Sequence, residues 1–410
     1  MNFIFGKGLF GRWIFAGRIG KGSKDNGRGE VLEYYPDQYA VYAYKSDGTR
    51  TAYFGSGSEQ NVLSKLTFEI TETGCGQCEL VFKKLPSNTE LNYMQRIDIH
   101  LYGDKLPWYS GYIVSRPVEG TTDQEYKFKG FGYYNTLESL FIFQTYENMD
   151  VGAIARDIAI KAEQNLGIVY NGTKIPNVGY VPAKLVFDGV TAKKALATLA
   201  DFAIDYVFGV DEYRNLYFKP RDTKVNEQAH LTVGKHFASY SPTWDADDIV
   251  NWARIKGGNI DDAGERWLCV VEDKASQQLY GMRQDVWDLP EAYSAEDARR
   301  WGENQIARYK KPKKSAKVKN VNLEYPYPDG TFYVRHMSTD GQAEIRTLDG
   351  QLYTYPITKI KYTVSAKDGI KAELSLGEQP FSVDRYLAEI ERNANALEQS
   401  QSSAIKQLKK

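Results

Sequence analysis

From Val31 to about Leu140, apolar and polar residues alternate with a period of two, as in Leu66-Thr-Phe-Glu-Ile70, Glu79-Leu-Val-Phe82, Arg96-Ile-Asp-Ile-His-Leu101 and Glu125-Tyr-Lys-Phe128. Successive side chains of a strand point to opposite faces, so this spacing predicts antiparallel strands with one buried face, turning at Asp47-Gly48 and Thr73-Gly74. Helical spacing begins only after Asn148. Val151, Ile154, Ala155, Ile158, Ala159 and Ala162 share one face of 150–164, and Ala192, Ala195, Leu196, Leu199 and Ala203 share one face of 191–203. A hairpin follows, with 206–210 against 216–218. Alternation returns near Ser239, in 249–255, 268–272, 331–335, 358–364 and 371–376, with Asp-Gly turns at 329, 349 and 368. One helix interrupts it, capped by Ser294 and running to about Tyr309 before Pro312.

The last segment follows a third rhythm. Val383, Leu387, Ile390, Ala394, Leu397, Gln401, Ala404 and Leu408 are spaced alternately by four and three, the seam of a coiled coil. Leu387, Ala394, Gln401 and Leu408 take the a positions, and Val383, Ile390, Leu397 and Ala404 the d positions. Leu at a with Ile at d in the 387/390 layer favours three or four strands over two, and Gln401 costs stability while fixing register. With Ser382 as cap, the helix would be roughly 40 Å long. It is expected to join three copies; a helix packed on its own subunit is the alternative.

The predicted fold class is α+β, mainly β. An apolar arm and linker (1–30) precede a first antiparallel β-barrel (31–140), an α/β insert (141–238), a second β-barrel with one helix (239–380) and the heptad helix (381–410). The arm carries Phe3, Phe5, Phe10, Trp13 and Phe15 ahead of the Gly/Ser/Lys linker 20–29. It is a possible docking arm, for its own chain or a neighbouring subunit. Lys7, Arg12 and Arg18 keep it short of the ~20 apolar residues of a membrane span, and it lacks the features of a signal peptide. No membrane anchor or export signal is expected.

Composition narrows the function classes. The 410 residues include 52 Lys+Arg and 53 Asp+Glu, a formal net charge of −1, so no global field draws the chain to nucleic acid or anionic lipid. Thirty tyrosines suit sheets and wide interfaces. Three cysteines form no disulfide framework of the secreted kind, and folding in a reducing cytoplasm is expected.

Candidate chemistry is sparse. Cys75-Gly-Gln-Cys78 has metal-like spacing but needs two more ligands. In what reads as a hairpin turn it is a reduced pair, a local disulfide or a metal clip. Asp245-Ala-Asp-Asp248 lacks the Gly and distal Glu of a calcium loop and reads as a turn. The basic run 310–319 reads as a solvated helix end, with phosphate contact or an acidic neighbour as alternatives. No nucleophile elbow, zincin, phosphate-loop or dinucleotide motif occurs, so no catalytic residue, metal or cofactor is expected.

Several segments in order resemble the tail hub proteins of long-tailed phages and prophages, the family of tail-associated lysins and prophage tail endopeptidases, related to contractile-tail baseplate hubs. They are Gly111-Tyr-Ile-Val114, Lys127-Phe-Lys-Gly-Phe-Gly-Tyr133 with Leu137, and Asp211-Glu-Tyr-Arg-Asn-Leu-Tyr-Phe218. Asp248-Ile-Val-Asn-Trp252 with Lys256-Gly-Gly258 follows, then Asp273 to Ser276 with Tyr280-Gly281, and Leu376-Gly377. The resemblance spans roughly residues 60 to 380. It implies a homotrimer in which two tube-like barrels per subunit form a pseudo-sixfold ring, adapting a sixfold tail to a threefold tip. The partners it implies are a distal tail or tail-tube hexamer, the tape-measure protein and fibre or spike proteins, with DNA only in transit. The expected function is therefore a structural tail-tip hub assembled in the host cytoplasm. Because the chain ends at Lys410 after the heptads, no downstream lytic domain is expected; a cell-wall hydrolase and a host-receptor or carbohydrate-binding tail protein are the alternatives.

Overall fold

The computed structural model describes residues 38–57, 62–118, 125–259, 266–290, 292–323, 337–365 and 369–377. The first half of the chain forms β1 (Tyr39–Tyr44), β2 (Arg50–Gly55), β3 (Leu63–Thr71), β4 (Gly74–Phe82), β5 (Arg96–Leu101), β6 (Tyr109–Ser115), β7 (Tyr126–Gly132) and β8 (Phe141–Glu147). Then come α1 (Val151–Leu166), β9 (Lys184–Thr191), α2 (Ala192–Ala203), β10 (Tyr206–Val210), β11 (Leu216–Pro220), β12 (Val225–Thr232) and β13 (Tyr240–Asp245). The remainder is β14 (Trp252–Asn259), β15 (Arg266–Glu272), α3 (Lys274–Tyr280), β16 (Gln284–Asp288), α4 (Ala295–Tyr309), β17 (Lys313–Val321), β18 (Gln342–Arg346), β19 (Leu352–Ser365) and β20 (Gly369–Gly377).

The helices predicted at 150–164, at 191–203 and from Ser294 to about Tyr309, and the 206–218 hairpin, form where the periodicity put them. Their ends are chemically marked. Asp150 accepts from the amides of Gly152 and Ala153 at the start of α1, and Gly167 closes that helix in the left-handed region at φ 66°. The Ser294 hydroxyl accepts from the Asp297 amide at 3.0 Å and starts α4.

Two separate closed barrels, as expected over 31–140 and 239–380, are not found among the described residues. Among the described residues, strands from both regions pair into one sheet of order β13-β17-β20-β19-β3-β4-β7-β6-β5-β1-β2, with β10–β11 attached through β4 and β12–β18 through β19. The path ends at β13 and β2 and does not close. Its joint is the antiparallel pair β3–β19, in register from Lys65–Ser365 to Thr71–Lys359. The physical reason lies in the apolar faces. Phe68 and Tyr362 stand opposite each other in that register and stack at 5.0 Å, and Trp108 meets Tyr362 edge-on at 5.4 Å. The inward faces of both regions thus share one core, running from Val41 and Phe54 through Leu80 and Phe128 to Val318 and Leu374.

A second core lies between α1, α2, α4 and the β10–β11 hairpin. The three-stranded sheet β15-β14-β16 packs onto it, with β14–β15 antiparallel and β14–β16 parallel. Residues 249–309, read from the sequence with the second β-rich region, place Ala253, Ile255, Val271, Ala298 and Ile306 in this α/β core.

Removing the ring of Tyr362 opens a cavity at the joint of the large sheet. Tyr362→Ala is expected to cost about 3–5 kcal/mol in urea denaturation, whereas Phe143→Ala, at a side chain 73% exposed, should stay within about 0.5 kcal/mol of the parent.

Candidate functional site

Cys75-Gly-Gln-Cys78, expected in a turn, lies inside β4. Phe68 opposes Cys78 while Ile70 opposes Cys75, so two steps on β3 face three on β4. This bulge brings both cysteines to the core side despite their odd spacing. Both are free and buried. Burial pushes the Cys78 thiol up to about 12 and raises that of Cys75 as well. Among the described residues no group of His, Cys, Asp and Glu is arranged to hold a metal ion. The glycines of Lys127–Tyr133 answer to this packing. A Cβ on Gly132 would sit 2.0 Å from the Cys75 carbonyl oxygen, and one on Gly130 2.8 Å from the Cys78 Sγ.

The other segments behind the resemblance also act on backbone. Asn251 is buried, and its Nδ2 donates to the Gly281 carbonyl at 2.8 Å and to the Ser276 hydroxyl at 3.3 Å. Its Oδ1 accepts from the Arg283 amide at 2.8 Å, and its carbonyl accepts from the Asp273 amide at 2.9 Å. Asp273 caps α3 through the Ser276 amide, and the Ser276 hydroxyl donates to the Lys310 carbonyl at 2.7 Å. One buried amide thus ties the entry of β14, helix α3, the start of β16 and the end of α4. Likewise, Asp211 accepts from the amides of Tyr213 and Asn215 to shape the β10–β11 turn, and pairs with Lys174 at 2.7 Å. Asp245 accepts from the Asp247 amide, making the 245–248 run a turn, and Asp248 pairs with Lys313 at 2.8 Å. These polar groups hold chain segments together.

The basic run 310–319 is only in part a helix end. Lys310 follows α4, and from Lys313 onward the run is strand β17, with Ala316 and Val318 turned inward and Lys317 and Lys319 exposed. Where β17 meets α3 and the end of α4, an open cleft of about 750 Å³ is lined by Trp244, Leu279, Tyr280, Lys311, Lys314 and Tyr355, among others. A smaller polar recess of about 410 Å³ lies by Gly74, Lys174, Asp211, Glu212 and Asp340. Burial, first of all, raises the Glu212 carboxyl above its ordinary value.

Exposed apolar side chains gather on two further surfaces. On the outer face of the β15-β14-β16 sheet, Val270 and Val286 flank Arg254 in one row, with Leu268 beside Lys256 in the next. On the β8–β9 ribbon, Phe141 and Phe143 face outward. Sequence periodicity missed both, because alternation identifies a buried face and says nothing of apolar residues on the opposite one. The coiled-coil seam from Val383 to Leu408 and the docking arm of Phe3, Phe5, Phe10, Trp13 and Phe15 lie outside the described residues. No helix among the described residues is long and apolar enough to cross a membrane.

No protein-family model matches the sequence, and no curated protein matches it. The fold, by contrast, is that of phage and prophage tail proteins. A tail protein from Neisseria meningitidis MC58 superimposes with a TM-score of 0.59 at 14% identity, over 84% of this chain and 97% of its own. The 43 kDa tail protein of prophage MuSo2 from Shewanella oneidensis gives 0.57 at 16% identity, over 82% and 97%. Prophage tail protein gp18 from Listeria monocytogenes gives 0.55 at 12% identity, over 87% and 98%.

The buried thiols set a solution test. A thiol titrating near 12 carries almost no thiolate at pH 8. A disulfide reagent at that pH should therefore modify half-buried Cys269 in the folded protein and reach Cys75 and Cys78 only after denaturation. Mass spectrometry of the labelled peptides reads the order.

Proposed function

We propose that this chain is a structural subunit of the tail of a phage or phage-like particle, acting at the tail tip as its hub. The observation that carries this reading is the sharing of one fold with three tail proteins along 97–98% of their own lengths. The interior is in keeping with it: Asn251, Asp211 and the glycines of β7 organise backbone. A subunit of this kind works by contact, and its exposed Leu268, Val270, Val286, Phe141 and Phe143 are the material for contacts.

In this reading three copies associate, with the seam Val383, Leu387, Ile390, Ala394, Leu397, Gln401, Ala404 and Leu408 joining them. The homotrimeric ring adapts a sixfold tail tube or distal tail protein to a threefold tip, and guides or closes the channel through which DNA passes. The tape-measure protein and fibre or spike proteins are its further neighbours. The virion tail tip is its location, reached after assembly in the host cytoplasm, and the role needs no catalysis or cofactor.

Sedimentation of the purified chain should give the mass of three copies, and replacing Leu387 and Ile390 together by Ser should lower it towards one. A monomeric parent, or a variant of unchanged mass, would remove the seam. Clearing of peptidoglycan by the purified protein would overturn the non-enzymatic reading.

A further inference from the structure

The cleft of about 750 Å³ between the large sheet and the α/β unit has an unusual balance of charge. Four lysines stand around it, and two are neutralised: Lys310 pairs with Asp273 at 2.9 Å and Lys313 with Asp248 at 2.8 Å. Lys311 and Lys314 are exposed and have no acidic partner among the described residues. The Lys314 ammonium instead lies 4.6 Å from the ring centre of Trp244. That indole is 60% exposed, and Leu279, which also lines the cleft, is 75% exposed. An apolar floor of this size with two uncompensated cations on its rim is matched by an aromatic side chain that travels with a carboxylate.

The chain itself brings such a pair to the rim. β20 ends at Gly377, which stands opposite Ser315 and so close to β17 that a Cβ on it would lie 1.9 Å from the Lys314 carbonyl oxygen. On its other side Leu376 is in register with Ile357, one residue beyond Pro356, which also lines the cleft. The strand therefore delivers its end between two walls of the cleft. The sequence continues Glu378-Gln379-Pro380-Phe381-Ser382. Four residues beyond Gly377 reach on the order of 13 Å when extended, enough to bring Phe381 over Trp244 with Glu378 beside Lys314.

We propose that the cleft is an intramolecular docking site for residues 378–382 of the same chain, with Phe381 seated against Trp244 and Leu279 and Glu378 neutralising Lys314 and Lys311. The contact fixes the direction in which the heptad segment leaves the body. It stands on the cleft and on the position of Gly377, and holds whether or not three copies associate.

Acrylamide quenching of the full-length chain tests it, with the contribution of Trp244 taken as the difference from Trp244→Phe. In the parent that contribution should be shielded, and Phe381→Ala should raise its quenching constant severalfold. Lys314→Glu should also raise it, and adding Glu378→Lys to Lys314→Glu should restore the shielding, a rescue that a merely misfolded variant would not show. A quenching constant unchanged by Phe381→Ala, or a reversed charge pair that restores nothing, overturns the proposal. Shielding that fades on dilution assigns the occupant to a second copy and overturns it equally.

Discussion

The structure depends above all on the pairing of β3 with β19. Glu69 and Lys359 meet across this joint at 3.3 Å although 290 residues separate them in sequence. The partly exposed ion pair contributes little; the strength of the joint lies beneath it. Phe68, Leu66, Ile360, Tyr362 and Val364 turn to the inner side and are almost wholly withdrawn from water. Each fully buried aromatic or branched side chain of this kind contributes about 1.5–3 kcal/mol relative to exposure. A slip of one residue would turn this whole set outward and bring the polar set in. The register of one strand pair thereby fixes where the N-terminal strands stand relative to the C-terminal ones.

That dependence marks where the sequence was legible. Alternation in 66–70, 79–82 and 96–101 identified strands and their buried sides, since each has one wet face. The faces of α1 and α2 were legible for the same reason, and Ser294 announced α4 through cap chemistry that is local. Strand partners were not legible, because alternation tells which side of a strand is buried and not which strand lies beside it. Two barrels and one sheet predict the same periodicity. Gly74 and Gly76 beside Cys75 read as a hairpin turn, whereas the strand already begins at Gly74 and a bulge brings both cysteines to the core side. Helix α3 buries only Ser276 and so carries no apolar rhythm; its one local signal was Asp273, a capping residue.

The segments that carried the family resemblance turn out to share a physical character. Gly130 and Gly132 admit a neighbouring backbone, Asn251 satisfies donors and acceptors from several segments, and Asp211 shapes a turn. Such positions tolerate few alternatives, because a buried backbone group without a partner costs about 1–3 kcal/mol. Side chains that merely fill a core can be exchanged for others of similar volume. A fold shared at 12–16% identity with phage and prophage tail proteins is what such tolerance permits.

The α/β core is nested in the chain between β7 and β17, and this ordering bears on synthesis. At about 5–20 residues per second, β3 leaves the ribosome roughly 15–60 s before its partner β19 exists. During that interval an edge of the growing sheet stands open to stray pairing. The nested core, drawn from Leu137 to Ile306, is complete well before then. Once folded, it replaces most of the intervening polypeptide with a rigid body, so the loop to be closed for β3 and β19 to meet is far shorter than their separation in sequence. The threading of the chain thus sets the order in which its parts become available: the middle is synthesised in full before the last strands of the large sheet exist.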